Sequence, residues 1–276
     1  MPARWSPLAL LGWAIMTTVC SLDNVRVVRD GRAILDGITW GVDASERWVI
    51  MGPNGAGKTT LLSLLASLIH PSSGRVEVLD EVVGKTDVFE LRPRVGFASS
   101  EMARRIPGNE TVLDAVLTAS TAVTGRWNEH YDDVDVRRAT RVLGEWNLDH
   151  MADRLVGTLS DGERKRVQIA RSVMTDPELL LLDEPAGSLD VGGREDVIDL
   201  LNQFAAWEGA PAMVMVTHHL EEIPPAFTHA MLIRQGQVTA SGPISDVLTS
   251  EHISHAFGRQ LTVTNNHSRY QAVSAG

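Results

Sequence analysis

From Ser21 onward, the sequence predicts an α/β fold in which a mostly parallel sheet is flanked by helices. Short apolar runs alternate with helical patterns, as in proteins whose strands are joined by helices. The runs at residues 179–182 and 213–216 are apolar throughout, which is typical of strands that are covered on both faces. We therefore expect these two runs to be central strands of the sheet.

The individual strands and helices follow from the same pattern. Five apolar runs are predicted strands, at residues 48–51, 75–79, 179–182, 213–216 and 231–233. The run at 75–79 alternates in polarity, so this strand is expected to be half exposed. One predicted helix opens at Gly57 and Lys58 and ends before Pro71, and another runs from Ser160 to about Met174.

The chain is expected to have three parts: an N-terminal extension over 1–20, a main domain over 21–250 and a C-terminal tail over 251–276. Residues 99–159 are rich in helix formers and charges and lack β-branched runs, which predicts a helical subdomain inserted into the main domain. The tail is weakly patterned and is expected to be peripheral. For the extension, a targeting segment, disorder and a non-native start upstream of Met16 all stay open. Its apolar stretch at 8–15 is shorter than the ~20 residues that a spanning helix needs.

Composition limits the partners and the compartment of the protein. The chain has 276 residues and a formal net charge of −10, which argues against binding a duplex through many basic side chains, so no nucleic acid is expected. Cys20 is the only cysteine, which excludes an intrachain disulfide and a cysteine-rich metal site. Because this cysteine usage suits a reducing compartment, we expect a cytoplasmic protein.

Residues 52–59, called the phosphate loop below, match the pattern G-x-x-x-x-G-K-[ST] between a predicted strand and a predicted helix. Glycines let successive N–H groups approach a phosphate chain, and the following helix adds the positive end of its dipole. The candidate phosphate-binding residues are Gly52, Pro53, Asn54, Gly55, Ala56, Gly57, Lys58, Thr59 and Thr60. The loop therefore predicts a sheet of the P-loop NTPase type.

Two side chains of the phosphate loop have specific expected roles. Lys58 would contact the β- and γ-phosphates of a nucleoside triphosphate, and Thr59 would offer its hydroxyl to Mg²⁺. Only three of the 25 basic residues are lysines, namely Lys58, Lys85 and Lys165. A general preference for arginine is thus overridden at position 58, where a compact point charge suits a phosphate.

Two acids, Asp183 and Glu184, follow the leucine run at 179–182. They would lie at the carboxyl end of a buried strand, which is the edge where open α/β sheets bind ligands. Because adjacent strand residues point to opposite faces, Asp183 could hold Mg²⁺ while Glu184 orients or deprotonates an attacking water. The alternative is that two acids simply end a strand in solvent, an interpretation that the upstream phosphate loop disfavours.

Three further motifs give the chain a resemblance to a known family. Residues 159–163 (Leu-Ser-Asp-Gly-Glu) are similar to the LSGGQ signature of the ATP-binding cassette family, residues 187–190 resemble its D-loop, and residues 216–219 resemble its switch strand. With the phosphate loop and the acid pair, the resemblance covers about residues 22–246. It implies an antiparallel β region near the N-terminus, an inserted helical subdomain and an ATPase that energises a separate membrane permease.

The resemblance also implies roles for individual residues. The expected ATP-contacting residues outside the phosphate loop are Ser160, Gly162, Glu163 and Asp190, the expected catalytic residues are Glu184, His218 and Lys58, and the expected Mg²⁺ ligands are Thr59 and Asp183. Ser160 and Gly162 lie at a helix N-terminus, whose free N–H groups can hold a γ-phosphate. Two subunits would pair head to tail, so that the signature of one closes over ATP in the phosphate loop of the other.

The implied partners are a second copy of the chain and an integral membrane permease. The permease would hold the chain at the inner face of the cell membrane, docked on a helical surface that includes Arg104, Arg105 and the stretch to Trp127. The alternative class is a soluble ATPase that acts as a regulator or machine on protein or nucleic acid without a permease. The transported substrate and the direction of transport are not encoded in these motifs.

The chain departs from the family at three positions. Ser100 stands where the Q-loop glutamine is usual, and no glutamine precedes Gln168. A serine is too short to reach Mg²⁺ directly, so a bridging water would be needed or the contact is missing. Asp161 replaces a signature glycine and adds a negative charge near the expected triphosphate. The adenine-stacking aromatic is absent, so adenine could meet Arg29, although a solvated loop arginine is the favoured alternative.

Overall fold

The computed structural model describes residues 18–119 and 131–274. Most of the N-terminal extension and Trp127 lie outside these residues, so the expectations placed on them stay predictions. Among the residues described, none of the helices combines the length and the apolar character that crossing a bilayer requires.

The strands and helices have the following bounds. The strands are β1 (Thr18–Arg29), β2 (Arg32–Asp43), β3 (Arg47–Met51), β4 (Ser73–Val78), β5 (Glu81–Val82), β6 (Val95–Ala98), β7 (Leu179–Asp183), β8 (Ala212–Val216), β9 (His229–Arg234), β10 (Gln237–Pro243), β11 (Leu261–Asn266) and β12 (Arg269–Ser274). The helices are α1 (Lys58–Leu65), α2 (Val88–Leu91), α3 (Ser100–Arg104), α4 (Val112–Leu117), α5 (Asp133–Glu145), α6 (Asp161–Val173), α7 (Val191–Ala205), α8 (Ile244–Val247) and α9 (Ser250–Phe257).

The main sheet has six strands in the order β10-β9-β3-β8-β7-β6, and only the edge strand β10 is antiparallel to its neighbour. The apolar strands β7 and β8 both lie between paired neighbours, as the sequence predicts. Successive side chains of β7 enter two different cores. Leu180 and Leu182 pack with α4 to α7, whereas Leu179 and Leu181 pack with α1 and the N-terminal strands. The predicted α/β fold with a mostly parallel sheet is therefore confirmed.

A second sheet, with strand order β2-β1-β4-β5, is antiparallel throughout and contains the N-terminal strands. The run predicted at 75–79 belongs to this sheet as β4. Val76 and Val78 of β4 are buried while Arg75 is exposed, so its predicted half-exposed character is also correct. The antiparallel region implied by the family resemblance is thus present.

The described residues after β6, 99–119 and 131–159, form a helical segment that packs on α6. Within it, α5 is capped by Asp132, whose carboxylate accepts hydrogen bonds from the N–H groups of Val134 and Asp135. Helix α4 lies against α6, where the Arg171 guanidinium donates to the carbonyl of Ala115. Because α6 also packs on α7 and on the main sheet, it connects the helical segment to the sheet.

The C-terminal tail is not peripheral, so that sequence expectation is wrong. Ile253, Ala256 and Tyr270 are each at most 6% exposed and belong to the same core as α7. The Arg269 guanidinium donates to both carboxylate oxygens of Glu195 in α7, at 2.9 Å each. The tail contains few apolar residues spaced among polar ones, so its pattern is weak. Its burial is decided by contacts with distant elements, which periodicity does not report.

Candidate functional site

The phosphate loop connects β3 to α1 and requires glycine at several positions. Gly52, Gly55 and Gly57 have φ values of 153°, 78° and 105°, which L side chains rarely adopt. A Cβ atom on Gly52 would lie 2.0 Å from the carbonyl oxygen of Ile233, and one on Gly57 would lie 2.8 Å from that of Ile34. The glycines therefore allow the loop to approach its surroundings as well as to bend.

The far side of the phosphate loop is tied to the turn between β9 and β10. The Gly236 N–H donates to the Ala56 carbonyl at 3.1 Å, and the Asp36 N–H donates to the Gly236 carbonyl at 2.9 Å. Ala56 is buried, whereas Asn54 and Gly55 at the tip of the loop are exposed. The loop is thus held on one side and open on the other.

Lys58 is folded into the phosphate loop. It is 6% exposed, and its Nζ donates to the carbonyl oxygens of Gly52 at 2.7 Å and Pro53 at 3.1 Å. Burial lowers the pKa of this ammonium, and the nearby carboxylates of Glu184 and Asp183 act in the opposite direction. An anion that binds in the loop therefore contacts the ammonium of Lys58, whose position these two hydrogen bonds already fix.

The first residues of α1 face the end of β7. The Thr59 hydroxyl donates to Oδ1 of Asp183 at 3.3 Å. Burial raises the pKa of Asp183, and the hydroxyl of Thr59 partly offsets this by favouring the carboxylate. A hydroxyl and a carboxylate are hard oxygen ligands of the kind Mg²⁺ prefers, so this pair fits the expected metal. Thr60, the next residue of α1, is partly buried.

Glu184 and His218 come together at the carboxyl ends of β7 and β8. Oε1 of Glu184 lies 2.9 Å from Nδ1 of His218, although 34 residues separate them in sequence. Because an ionised carboxylate only accepts, Nδ1 carries the proton in this contact. Glu184 has a φ of 50°, and its N–H donates to the Val216 carbonyl at 2.9 Å, which places its side chain at the edge of the sheet.

Two buried side chains, Thr217 and Glu222, stabilise the loop that carries His218. The Thr217 hydroxyl donates to the carboxylate of Glu222 and accepts from the His219 N–H at 3.1 Å. Thr217 is 0% exposed and Glu222 is 4% exposed. This contact was not predictable from sequence, because the spacing of Thr217 and Glu222 is also that of an ordinary turn.

The signature residues form the N-terminus of α6. The Ser160 hydroxyl accepts from the Glu163 N–H at 3.3 Å, and Glu163 Oε2 accepts from the Ser160 N–H at 2.7 Å, so the two residues make a capping box. Glu163 also pairs with Arg154 at 2.9 Å, and these hydrogen bonds, led by the one from the Ser160 backbone, lower its pKa. Its carboxylate therefore caps the start of the helix, while Ser160 remains exposed.

A groove of about 370 Å³ separates the signature from the D-loop. Its lining includes Ser160, Asp161, Gly162, Glu163, Ser188 and Asp190, and no residue of the phosphate loop. Asp190 caps α7 by accepting from the Gly193 N–H at 2.7 Å. Asp161 is exposed. The signature and Asp190 therefore line the same groove, and neither of them shares a groove with the phosphate loop of the same chain.

The two remaining departures have different surroundings. Arg29 lies exposed at the tight turn between β1 and β2, where Asp30 and Gly31 have positive φ. Ser100 begins α3, and its hydroxyl lies 3.2 Å from Nζ of Lys165. Sequence analysis did not assign a role to Lys165, although the rarity of lysine in this chain was an available signal.

The chain is similar to known proteins over most of its length. A family model described as ABC transporter matches residues 35–187. The ABC transporter ATP-binding protein YlmA of Bacillus subtilis (strain 168) is 39% identical over 252 residues, which is 91% of this chain and 95% of that protein. The hemin import ATP-binding protein HmuV of Rhodococcus jostii (strain RHA1) is 33% identical, over 87% of this chain and 80% of that protein.

Solved structures are also similar. A dimeric structure of a bacterial ABC transporter cassette superimposes with a TM-score of 0.71, covering 82% of this chain and 98% of that chain. Its sequence identity to this chain is 23%, so the likeness concerns the fold.

Proposed function

Because the chain belongs to the ABC transporter family, we propose that its phosphate loop, its acid pair and His218 form one ATP-hydrolysing site. As an ATP-binding subunit of this family, the chain hydrolyses ATP to power a separate membrane permease. The observation that carries the site assignment is the contact of 2.9 Å between Glu184 and His218. Glu184, which this contact holds, directly follows Asp183, and Asp183 accepts a hydrogen bond from Thr59, the second residue of α1.

The residues support in-line attack of water on the γ-phosphate. The N–H groups of the phosphate loop and the ammonium of Lys58 bind and orient the β- and γ-phosphates. Glu184 accepts the proton of the attacking water, and His218 keeps its carboxylate aimed through the Nδ1 hydrogen bond. Thr59 and Asp183 would hold Mg²⁺, which neutralises charge on the phosphates when it is bound.

The site is complete only when two copies of the chain meet. The groove with Ser160, Gly162 and Asp190 shares no lining residue with the phosphate loop. Ser160 is exposed at the N-terminus of a thirteen-residue helix, where free N–H groups favour an anion. Head-to-tail pairing brings this helix end to the γ-phosphate held by the partner copy, with two ATP molecules at the interface. The similarity in fold to a dimeric cassette supports this arrangement.

A groove between α3 and the sheet suits docking of the permease. It has a volume of about 300 Å³, and its lining combines apolar side chains such as Phe97 and Met102 with cations such as Arg92 and Arg105. Phe89, which precedes this groove in sequence, is 75% exposed. A cytoplasmic segment of the permease with apolar and acidic side chains fits this surface. Docking there holds the chain at the inner face of the membrane.

Replacement of the proposed base tests the assignment of the site. Glu184→Gln removes the proton acceptor but keeps the shape, so we expect kcat for ATP hydrolysis to fall about 100-fold while ATP binding is retained. Glu208→Gln, at an exposed position, is the matched control and should leave turnover unchanged. Full turnover of Glu184→Gln under saturating Mg-ATP would refute the role of Glu184.

The dimer is tested in the same hydrolysis-deficient background. Adding Ser160→Arg places a bulky cation at the N-terminus of α6, so ATP-dependent dimerisation measured by analytical ultracentrifugation should be lost. Binding of a fluorescent ATP analogue to the monomer should be retained, because the phosphate loop is far from Ser160 in sequence and shares no groove with it. Persistence of the ATP-dependent dimer would contradict head-to-tail closure.

A further inference from the structure

Lys165 connects two parts of the site that the sequence leaves unconnected. Its Nζ donates to the backbone carbonyl of Glu184 at 2.8 Å and to the Ser100 hydroxyl at 3.2 Å. Glu184 directly follows β7, and Ser100 is the first residue of α3, at the entrance to the helical segment. One ammonium group therefore bridges the proposed base and the start of that segment, where Ser99 and Ser100, called the hinge below, cap and begin α3.

A second side chain of α6 strengthens this bridge. Gln168, one helical turn after Lys165, donates from Nε2 to the Ser99 carbonyl at 3.0 Å, in a buried environment. Residues three apart lie on the same face of a helix, so Lys165 and Gln168 present their donors to consecutive residues of the hinge. Ser99 in turn caps α3 by accepting from the Met102 N–H at 3.2 Å. The hinge is thus held to α6 at both Ser99 and Ser100.

The chemistry of lysine suits this position. An ammonium offers three donors, of which the contacts with Ser100 and Glu184 use two. Its long stem supplies the reach that a serine at position 100 lacks. The carboxylates of Glu184 and Asp183 stabilise its charge against the cost of burial, which acts to lower its pKa. In a chain with only three lysines, two of them lie beside the same acid pair.

We propose that Lys165 is a positioning residue for ATP hydrolysis that takes the place of the missing Q-loop glutamine. Its ammonium links the Ser100 hydroxyl, at the start of the helical segment, to the backbone carbonyl of Glu184. The position of the segment thereby affects the position of Glu184. When the segment moves, the ammonium moves with α6 and shifts the backbone that aims the carboxylate of Glu184. This inference rests on the proposed role of Glu184 as the base.

The test compares Lys165→Met with Lys85→Met in the full chain. The first variant keeps the stem and removes the charge, so we expect kcat for ATP hydrolysis to fall about tenfold with KM for ATP changed less than about twofold. Lys85 is exposed and serves as the matched control, which should retain wild-type kcat and KM. Unchanged kcat in Lys165→Met, or a loss expressed only in KM, would overturn the inference.

A double-mutant cycle with Ser100→Ala separates positioning from a general structural effect. Because both side chains act through one contact, the double variant should lose no more kcat than Lys165→Met alone. If the losses of kcat in the two single variants instead multiply in the double variant, the two side chains act independently and the coupling between them is refuted. If Lys165→Met does not fold, as judged by its melting temperature, Ser100→Ala alone decides: we expect kcat to fall about threefold, and an unchanged kcat would refute the link.

A separate arm distinguishes this inference from the proposed function. If Glu184→Gln keeps full turnover, the assignment of the base is wrong and the positioning role falls with it. If Glu184→Gln is inactive while Lys165→Met matches the wild type, only the role of Lys165 is wrong.

Discussion

Replacement of Tyr270 measures how firmly the C-terminal hairpin is built into the domain. Tyr270 in β12 is 6% exposed and belongs to the core that contains α7. Truncating a buried aromatic side chain to alanine costs about 3 to 5 kcal/mol, and a site on an outer hairpin can partly collapse, so we expect about 3 kcal/mol for Tyr270→Ala. That is a large fraction of the 5–15 kcal/mol that typically stabilises a domain.

Urea unfolding followed by tryptophan fluorescence provides the assay for this prediction. Val273→Ala, in the same strand but 59% exposed, is the matched control and should cost less than about 0.5 kcal/mol. Tyr270→Phe isolates the contribution of the phenolic hydroxyl, since it keeps the buried ring. If Tyr270→Ala and Val273→Ala shift the unfolding midpoint equally, the tail is peripheral after all and the packing described above is incorrect.

Three further predictions address the loop, the thiol and an ion pair. Gly52→Ala should weaken binding of a fluorescent ATP analogue by at least about tenfold, because its Cβ would lie 2.0 Å from the Ile233 carbonyl oxygen; wild-type affinity would contradict this crowding. Burial raises the pKa of Cys20 to about 12, so the native protein should resist maleimide at pH 8 by mass spectrometry until urea unfolds it, and rapid native labelling would be inconsistent with the buried position. The Arg269 hydrogen bonds lower the pKa of Glu195, so their stabilisation is present above the ordinary glutamate pKa and is lost as pH falls through the folded value. Since this pair is 30% and 39% exposed, Arg269→Met should cost at most about 1 kcal/mol in urea unfolding at pH 7, with little difference near pH 3; a cost that is equal at both pH values would refute it.

The parts of the site that were predictable from sequence are those encoded by contiguous residues. The phosphate loop is a single run of eight residues with required glycines, and the structure shows why Gly52 and Gly57 cannot carry side chains. The proximity of Glu184 and His218 also follows from order along the chain. Glu184 is the first residue after β7 and His218 the second after β8, and these two strands are neighbours in the sheet.

Contacts that depend on side-chain reach were not predictable. The bridge made by Lys165 joins residues that are 65 and 19 positions away, and no pattern of apolar residues reports it. Glu163 stays a predicted ATP contact; in the single chain its carboxylate closes the capping box with Ser160. The spacing of this serine and glutamate is typical of a helix start, so it does not by itself indicate a ligand site.

Helix α6 carries residues of both the proposed dimer face and the proposed hydrolysis site, because Ser160 caps it and Lys165 lies within it. Arg171 holds its C-terminal part to α4, while Ser160 lies exposed at the other end, eleven residues or about 16 Å away. A rotation of about 10° around Arg171 would sweep Ser160 through about 3 Å and Lys165 through about half of that. A displacement of Ser160 at the proposed dimer face would therefore reach Lys165, which donates to the Glu184 carbonyl, at about half its size.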